Sequence, residues 1–451
     1  MTGISLQVLN RSQPTARVQT DETSVGNYFI ANYPPFGHWT PEAVSSMHDA
    51  LGREPLHGAR MGVYMHIPFC RKRCHFCYFR VYTDKNAREI KRYTDAMLRE
   101  FRTYAESPVI AGRLPKFVYF GGGTPSYLSA DQLRYLSGEM KAMLPWTEAE
   151  EVTLEAEPGT LNEKKVHAIR ELGVTRLSLG IEHLDDRILE LNGRAHRSEQ
   201  AIRALGWAQD AGFPDINVDL IAGMLDETDE GWSQTVQRTI DLGPDTVTIY
   251  QMEVPYNTTI YKRMQEEGAL IAPVATWGTK RRWVAEAFEA FERAGYTITS
   301  ATTAVRDPDR SRFVYRNGLF DGSDVIASGV SAFGHVRGVN YQNEHNFDPY
   351  IDAVEERALP TYRAYALDDE ERYIREFGLQ LKGGEVAYAP FESKFGDHPL
   401  ERFGSTLRRL EGEGYMLLGP DRVTLTREGL LRVDALLFDL FRPEHRQGRF
   451  A

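Results

Sequence analysis

From Val63 onward the chain alternates between two rhythms. Short runs rich in β-branched and aromatic residues predict strands over 63–67 (VYMHI), 116–120 (KFVYF), 151–157 (EVTLEAE), 175–182 (TRLSLGIE), 215–221 (DINVDLI) and 245–252 (DTVTIYQM). Between them, apolar residues recur every three or four positions. Ile90, Tyr93, Met97, Phe101 and Tyr104 form one such stripe, and Val166, Ile169 and Leu172 form another, stopped by Gly173. Ser129 with Gln132 three residues later reads as a capping box before Leu133, Leu136 and Met140. Six βα units predict an α/β fold, a partial (β/α)6 TIM-like barrel that curls without closing. Functional groups then belong at the carboxyl ends of the strands.

The flanks read differently. Residues 1–60 form an N-terminal arm, polar at first and then aromatic (YFIANYPPFGHW), ahead of the (β/α)6 core at 61–275. Residues 276–361 extend the core with a helix over 277–295, a strand YTITSA and a glycine-rich stretch VIASGVSAFGHVRG. The segment 362–451 has two helical patterns, then GYMLLGPDRVTLT as a hairpin turned at Gly419-Pro420-Asp421, then a helix over 426–441. That is a helical, winged-helix-like module, read as a lid or packing domain.

Composition narrows the classes. In 451 residues, 42% are hydrophobic and 26% charged, enough apolar material for a large core. Lys plus Arg number 53 against 64 Asp plus Glu, a net charge of −11 that argues against nucleic acid or anionic lipid as partner. No apolar run reaches the length of a membrane span, and MTGISLQVLNRSQPTARVQT has no signal-peptide core. A cytoplasmic monomer is the expectation.

The three cysteines, Cys70, Cys74 and Cys77, all fall in one Cys-x3-Cys-x2-Cys loop directly after the first strand. An odd, clustered set is not a disulfide framework. Three unrelated thiols, a zinc site completed by an outside ligand, and an iron–sulfur cubane with one iron lacking a protein ligand are the alternatives. Arg71, Lys72 and Arg73 are expected to lower the thiol pKa values and offset an anionic cluster. Gly121-Gly122-Gly123-Thr124-Pro125 ends the second strand, where missing Cβ atoms let backbone approach a ligand.

The loop His66-Ile-Pro-Phe-Cys70-Arg-Lys-Arg-Cys74-His-Phe-Cys77 resembles the signature of the radical SAM superfamily. The resemblance implies a [4Fe–4S] cluster on Cys70, Cys74 and Cys77 whose open iron binds S-adenosylmethionine (SAM) and cleaves it reductively to a 5′-deoxyadenosyl radical. Phe76 matches the aromatic bordering the adenine, and the glycine motif matches that for the methionine end.

YMHIPFC, FGGGTPS, LEAEPGT, LSLGIE, NGRAH, VDLIAG, SGVSAFGH and TLTREG together resemble the HemN-like branch of that superfamily. This branch holds oxygen-independent coproporphyrinogen III oxidases, HemW heme chaperones and class C methyltransferases. It implies a C-terminal HemN domain and two SAM molecules per chain. Tyr64, Gly122 and Glu155 match contacts of the first SAM; Gly123, Thr124, Glu182, Arg194 and Asp219 match contacts of the second. Tyr64 and Glu182 are read as the catalytic positions.

Three departures bear on the reaction. Tyr78, Phe79 and Arg80 follow the triad where the oxidase often has another cysteine, and Glu182 replaces a glutamine. Arg316-Asn317-Gly-Leu-Phe320-Asp321 lacks the imidazole of the HemW heme motif. The expectation is methyl or methylene transfer from the second SAM to an sp2 carbon, as in a class C methyltransferase or cyclopropanase. The alternatives are oxidative decarboxylation of porphyrin propionates and a HemW-like heme carrier. A conjugated or tetrapyrrole-like small molecule and a flavodoxin or ferredoxin-type electron donor are the implied partners.

Overall fold

The structure, a computed structural model, describes residues 28–267, 272–357 and 359–446. Six strands form where the short apolar runs place them: β1 (Met61–Ile67), β2 (Phe117–Gly122), β3 (Glu151–Ala156), β4 (Arg176–Glu182), β5 (Asp215–Ala222) and β6 (Thr246–Gln251). They pair in parallel in chain order. Almost every residue in them is shielded, as expected of a sheet covered by helices on one face and filled on the other. The helix Ala87–Ala105 buries Ile90, Tyr93, Met97, Phe101 and Tyr104 against the sheet. Ser129 and Gln132 cap the helix Ala130–Met143 reciprocally, and Gly173 takes φ +85° after the helix Glu163–Glu171.

The sheet is larger than six units. After β7 (Thr297–Ser300) and β8 (Thr303–Val305) come β9 (Asp324–Ser328), β10 (Phe333–Val336), β11 (Val339–Asn343) and β12 (Thr361–Ala366). β9 pairs in parallel with the outer side of β1 and adds a seventh parallel strand. The spatial order is β12-β11-β10-β9-β1-β2-β3-β4-β5-β6-β8-β7, so the array stays open with antiparallel edges on both sides. The glycine-rich stretch at 325–338 is therefore strand and hairpin. Its glycines serve close packing: a Cβ on Gly334 would meet the Tyr341 ring at 2.2 Å.

Beyond the sheet, β13 (Glu385–Ala387), β14 (Met416–Leu418) and β15 (Arg422–Leu425) make a small antiparallel sheet beside the helices Asp369–Leu381 and Gly404–Gly412. β14 and β15 form the hairpin around Gly419-Pro420-Asp421. The expected final helix is instead broken into Arg427–Leu431, Val433–Leu436 and a 3-10 turn at Leu437–Asp439. The break at Arg432 has a packing cause: Leu431 enters the core of the large sheet, whereas Leu430, Val433, Leu436 and Leu437 enter a second core with Phe377 and Phe403. A straight helix could not feed both.

Residues 1–27 of the arm lie outside the described residues, and the rest of it is not loose. Ile30 and Tyr33 are buried in the second core, and the Tyr33 hydroxyl bonds His445 Nδ1 at 2.8 Å. Thr40 bridges Ala364 of β12. Among the described residues no helix is long and apolar enough to cross a membrane.

Candidate active site

The loop after β1 is tied at both ends by backbone bonds. The Cys70 amide donates to Tyr82 O (3.1 Å), the Tyr82 amide to Pro68 O (2.7 Å) and the His75 amide to Asn192 O (3.0 Å). Cys70, Cys74 and Cys77 are half-buried and line one cavity of about 1610 Å3 at the carboxyl ends of the strands. Among the described residues no three His, Cys, Asp or Glu side chains sit close enough to share a single metal ion.

Burial pushes the Cys70 thiol up to about 11 and Cys77 up to about 12. Arg73 lowers Cys77 as expected from sequence, and Arg194 lowers Cys70, but neither outweighs burial. Arg71 donates to Gly159 O (2.6 Å) and Arg73 to Cys77 O (3.1 Å) and Asn257 O (3.3 Å), so both are turned toward backbone carbonyls. The cation that reaches a thiol comes from 120 residues away: Arg194 Nη1 lies 3.1 Å from Cys74 Sγ. The Thr124 hydroxyl lies 3.2 Å from Cys70 Sγ.

The glycine motif packs directly on this loop. The Gly123 amide donates to Ile67 O (2.9 Å), and a Cβ there would stand 2.9 Å from that oxygen and 3.1 Å from Cys70 Sγ. Gly122 takes φ +109°, and its amide donates to Glu155 Oε2 (3.1 Å). Gly123 keeps backbone close against the Cys70 thiol, while a Cβ on Gly122 would meet the His66 ring at 2.5 Å, so the absent side chains leave backbone room beside the cysteine loop.

Three carboxylates face the same cavity. Glu155 accepts a 2.7 Å bond from the Tyr119 hydroxyl, and burial pushes it up to about 7. Glu182, last residue of β4, sits at φ +66° beside an irregularity in the pairing with β5, a left-handed backbone that costs a side-chain-bearing residue about 1–2 kcal/mol. Its carboxylate lies 3.6 Å from Arg194 Nη1, and burial again raises it to about 7. Arg194 Nη2 also donates to Gly180 O at 2.5 Å. Asp219 lies within β5 rather than at its end. It accepts from Ser178 Oγ and Asn217 Nδ2, each at 2.9 Å, and burial raises it. Tyr64 stacks on Tyr119 (5.9 Å) and Tyr315 (6.1 Å), and Phe76 packs against the apolar cluster around Ile188 and Met224. The cavity thus gathers every expected site residue.

Several lining residues were not singled out from sequence. His66 is buried with Nε2 unpartnered, and burial lowers it to about 4, so it is neutral. Tyr119 was detectable, since it lies beside Tyr64 in the β1–β2 register and alternation points both the same way. Tyr250, on β6, shows its exposed surface to the cavity.

Residues 64–239 match the family model of the Radical SAM superfamily. The chain is 28% identical over 373 residues to the heme chaperone HemW of Bacillus subtilis, covering 82% of this chain and 96% of that protein. It is 24% identical over 434 residues to the oxygen-independent coproporphyrinogen III oxidase of Synechocystis, covering 91% of each. The solved structure of coproporphyrinogen III oxidase (HemN) from Escherichia coli superposes with a TM-score of 0.78 at 22% identity, over 91% of this chain and 96% of that one.

Proposed function

We infer that this chain, which belongs to the HemN-like branch of the radical SAM superfamily, oxidatively decarboxylates propionate side chains of a porphyrinogen. Its cofactors are a [4Fe–4S] cluster and SAM, and the residues present fit both. Cys70, Cys74 and Cys77 would hold the cluster. Gly122 and Glu155 would hold the SAM at the cluster, with Phe76 at its adenine, and Gly123, Thr124, Glu182, Arg194 and Asp219 would hold a second SAM. When bound, the cluster and its SAM supply a one-electron cleavage of SAM that yields a carbon radical able to take a hydrogen atom. A propionate that has lost that hydrogen releases CO2 and one electron, to a one-electron acceptor, and becomes a vinyl group.

The protein's own part is positioning. Arg194 offsets Cys74 and Glu182 together, and the Tyr119 hydroxyl and Gly122 amide orient Glu155. Tyr64 lines the cavity, stacked on Tyr315 with its hydroxyl 3.2 Å from His66 Nδ1.

The observation that carries this reading is the cavity. At about 1610 Å3 it exceeds the usual 300–1,000 Å3 of a small-ligand pocket, and it runs from the cysteine loop to the C-terminal segment. A nucleotide alone leaves most of that space for a large substrate. Methyl transfer, expected from the departures in sequence, is the weaker reading, since the HemN-like relatives above are named as oxidase or heme chaperone.

Anaerobic protein with reconstituted cluster, a reductant and methyl-labelled SAM is expected to convert coproporphyrinogen III to a divinyl product with release of CO2 and no label in the porphyrin. Label in the product, or no decarboxylation by cluster-loaded protein, overturns the reading. Cys74→Ala is expected to lose iron and SAM cleavage together. Stoichiometric heme binding without 5′-deoxyadenosine would select the chaperone instead.

A further inference from the structure

The interior cations of the cavity divide into two groups. Arg194 lies 3.6 Å from Glu182, and Lys382 Nζ lies 2.6 Å from Asp434, so each has a carboxylate. Arg316 and Arg375 have none within ion-pair distance among the described residues. Arg375 is 3% exposed and sits on the helix Asp369–Leu381. Its Nε donates to Asn32 Oδ1 (2.8 Å), while its Nη1 is buried with no partner. The adjacent carboxylate, Glu376, is held by Lys394 at 2.8 Å through both oxygens.

Arg316 sits on the helix Val314–Phe320, which packs against the helix of Arg375. It spends its donors on neutral groups: Ser300 Oγ (2.8 Å), Thr303 Oγ1 (3.0 Å) and Asn317 Oδ1 (3.0 Å). Burial lowers both guanidinium groups to about 10. His335, also on the cavity wall, is held far below its ordinary value by burial and by Arg375. Glu376 and Asp321 act on Arg375 and Glu151 acts on Arg316 only from beyond ion-pair distance, so two buried guanidinium groups lack a direct anionic partner, which is costly in a low-dielectric interior.

We propose that Arg375, with Arg316 as a second cation, is a receptor for substrate carboxylates at the end of the cavity formed by the two packed helices. Asn32 fixes the guanidinium plane by holding Nε, and the partnerless Nη1 is the donor that a carboxylate reaching this side chain would satisfy. The assignment rests on the porphyrinogen reading for the ligand's identity, but the charge requirement stands without it: the ligand must bring an anionic group to this wall. In a propionate-bearing substrate these arginines would hold the carboxylates that are not reacting and so choose which propionate meets the cysteine loop.

The test uses cluster-loaded full-length protein under anaerobic conditions, titrated with coproporphyrin III and with its tetramethyl ester. Arg375→Gln is expected to weaken the acid about 10–100-fold, the effect of losing charge-assisted bonds, and to leave the ester unchanged. Its ligand-free melting temperature should not fall, because an unpaired buried charge has been removed. Arg375→Lys keeps the charge but loses the fork, and should give an intermediate loss for the acid alone. Equal affinity of wild type and Arg375→Gln for the acid, or equal weakening of acid and ester, overturns the site while leaving the porphyrinogen reading intact. If wild type binds no coproporphyrin III, benzene hexacarboxylate decides the site, and the porphyrinogen reading is decided by the decarboxylation assay above. No saturable binding of that hexaacid, or no loss in Arg375→Gln, overturns the site.

Discussion

Replacing Glu182 by Gln changes one charge in the centre of the cavity while leaving side-chain volume and the left-handed backbone at φ +66° in place. In the folded chain burial raises this carboxyl from an ordinary 4.5 to about 7, and that value already includes the attraction of Arg194 at 3.6 Å. A carboxyl raised on folding favours the folded state at low pH, where it is protonated in both states, and loses that contribution as pH climbs through about 7. The difference corresponds to about 3 kcal/mol at most, less whatever Glu155 and Asp219 share of the repulsion. Ligand-free Glu182→Gln with reduced thiols, unfolded in urea, should therefore match wild type near pH ~4 and exceed it by about 2–3 kcal/mol near pH ~8. A difference that does not vary with pH would refute the reasoning, as would a variant less stable than wild type at the upper end.

Gly123→Ala is expected to lower stability by about 1–3 kcal/mol and to cut the iron content of reconstituted protein, because neither Ile67 O nor Cys70 Sγ can retreat from the added carbon. Full iron loading with an unchanged melting temperature would contradict this. Tyr119→Phe removes the 2.7 Å donor from Glu155, raises that carboxyl further, and should move the acid limb of SAM binding upward by about one pH unit. An unmoved limb would mean that Glu155 does not control binding. Phe377→Ala, fully buried among Tyr373, Phe391 and Phe403, should cost about 3–5 kcal/mol, measured by denaturant unfolding.

The parallel strands were readable because each is a short apolar run between helical stripes, and their boundaries shift by two residues or fewer. β9 was hidden because its pairing partner is β1, more than 260 residues earlier, and glycines dilute its pattern. The cysteine loop and glycine motif announce themselves locally through spacing and composition. Arg194 does not. It follows Gly193 at φ +77° and reaches back 120 residues to Cys74, so only likeness to known motifs singled it out. Conversely, Arg71 and Arg73 suggested a cationic collar by adjacency, yet the loop's turns direct both toward carbonyl oxygens. The break at Arg432 follows from two cores competing for one apolar stripe, a three-dimensional conflict that periodicity cannot register.

The Ile30 amide donates to Asp434 Oδ1 across 404 residues, and Ile30 and Tyr33 are buried by side chains between Tyr373 and Phe441. A ribosome adding about 5–20 residues per second needs roughly 20–80 s to make the partners of that early segment. During synthesis the large sheet can assemble while the stretch around Ile30 waits unsheltered. Stalled or truncated nascent chains would then display an aromatic-rich sequence that chaperones and proteases can grip, giving quality control a handle that disappears only when the last helices dock.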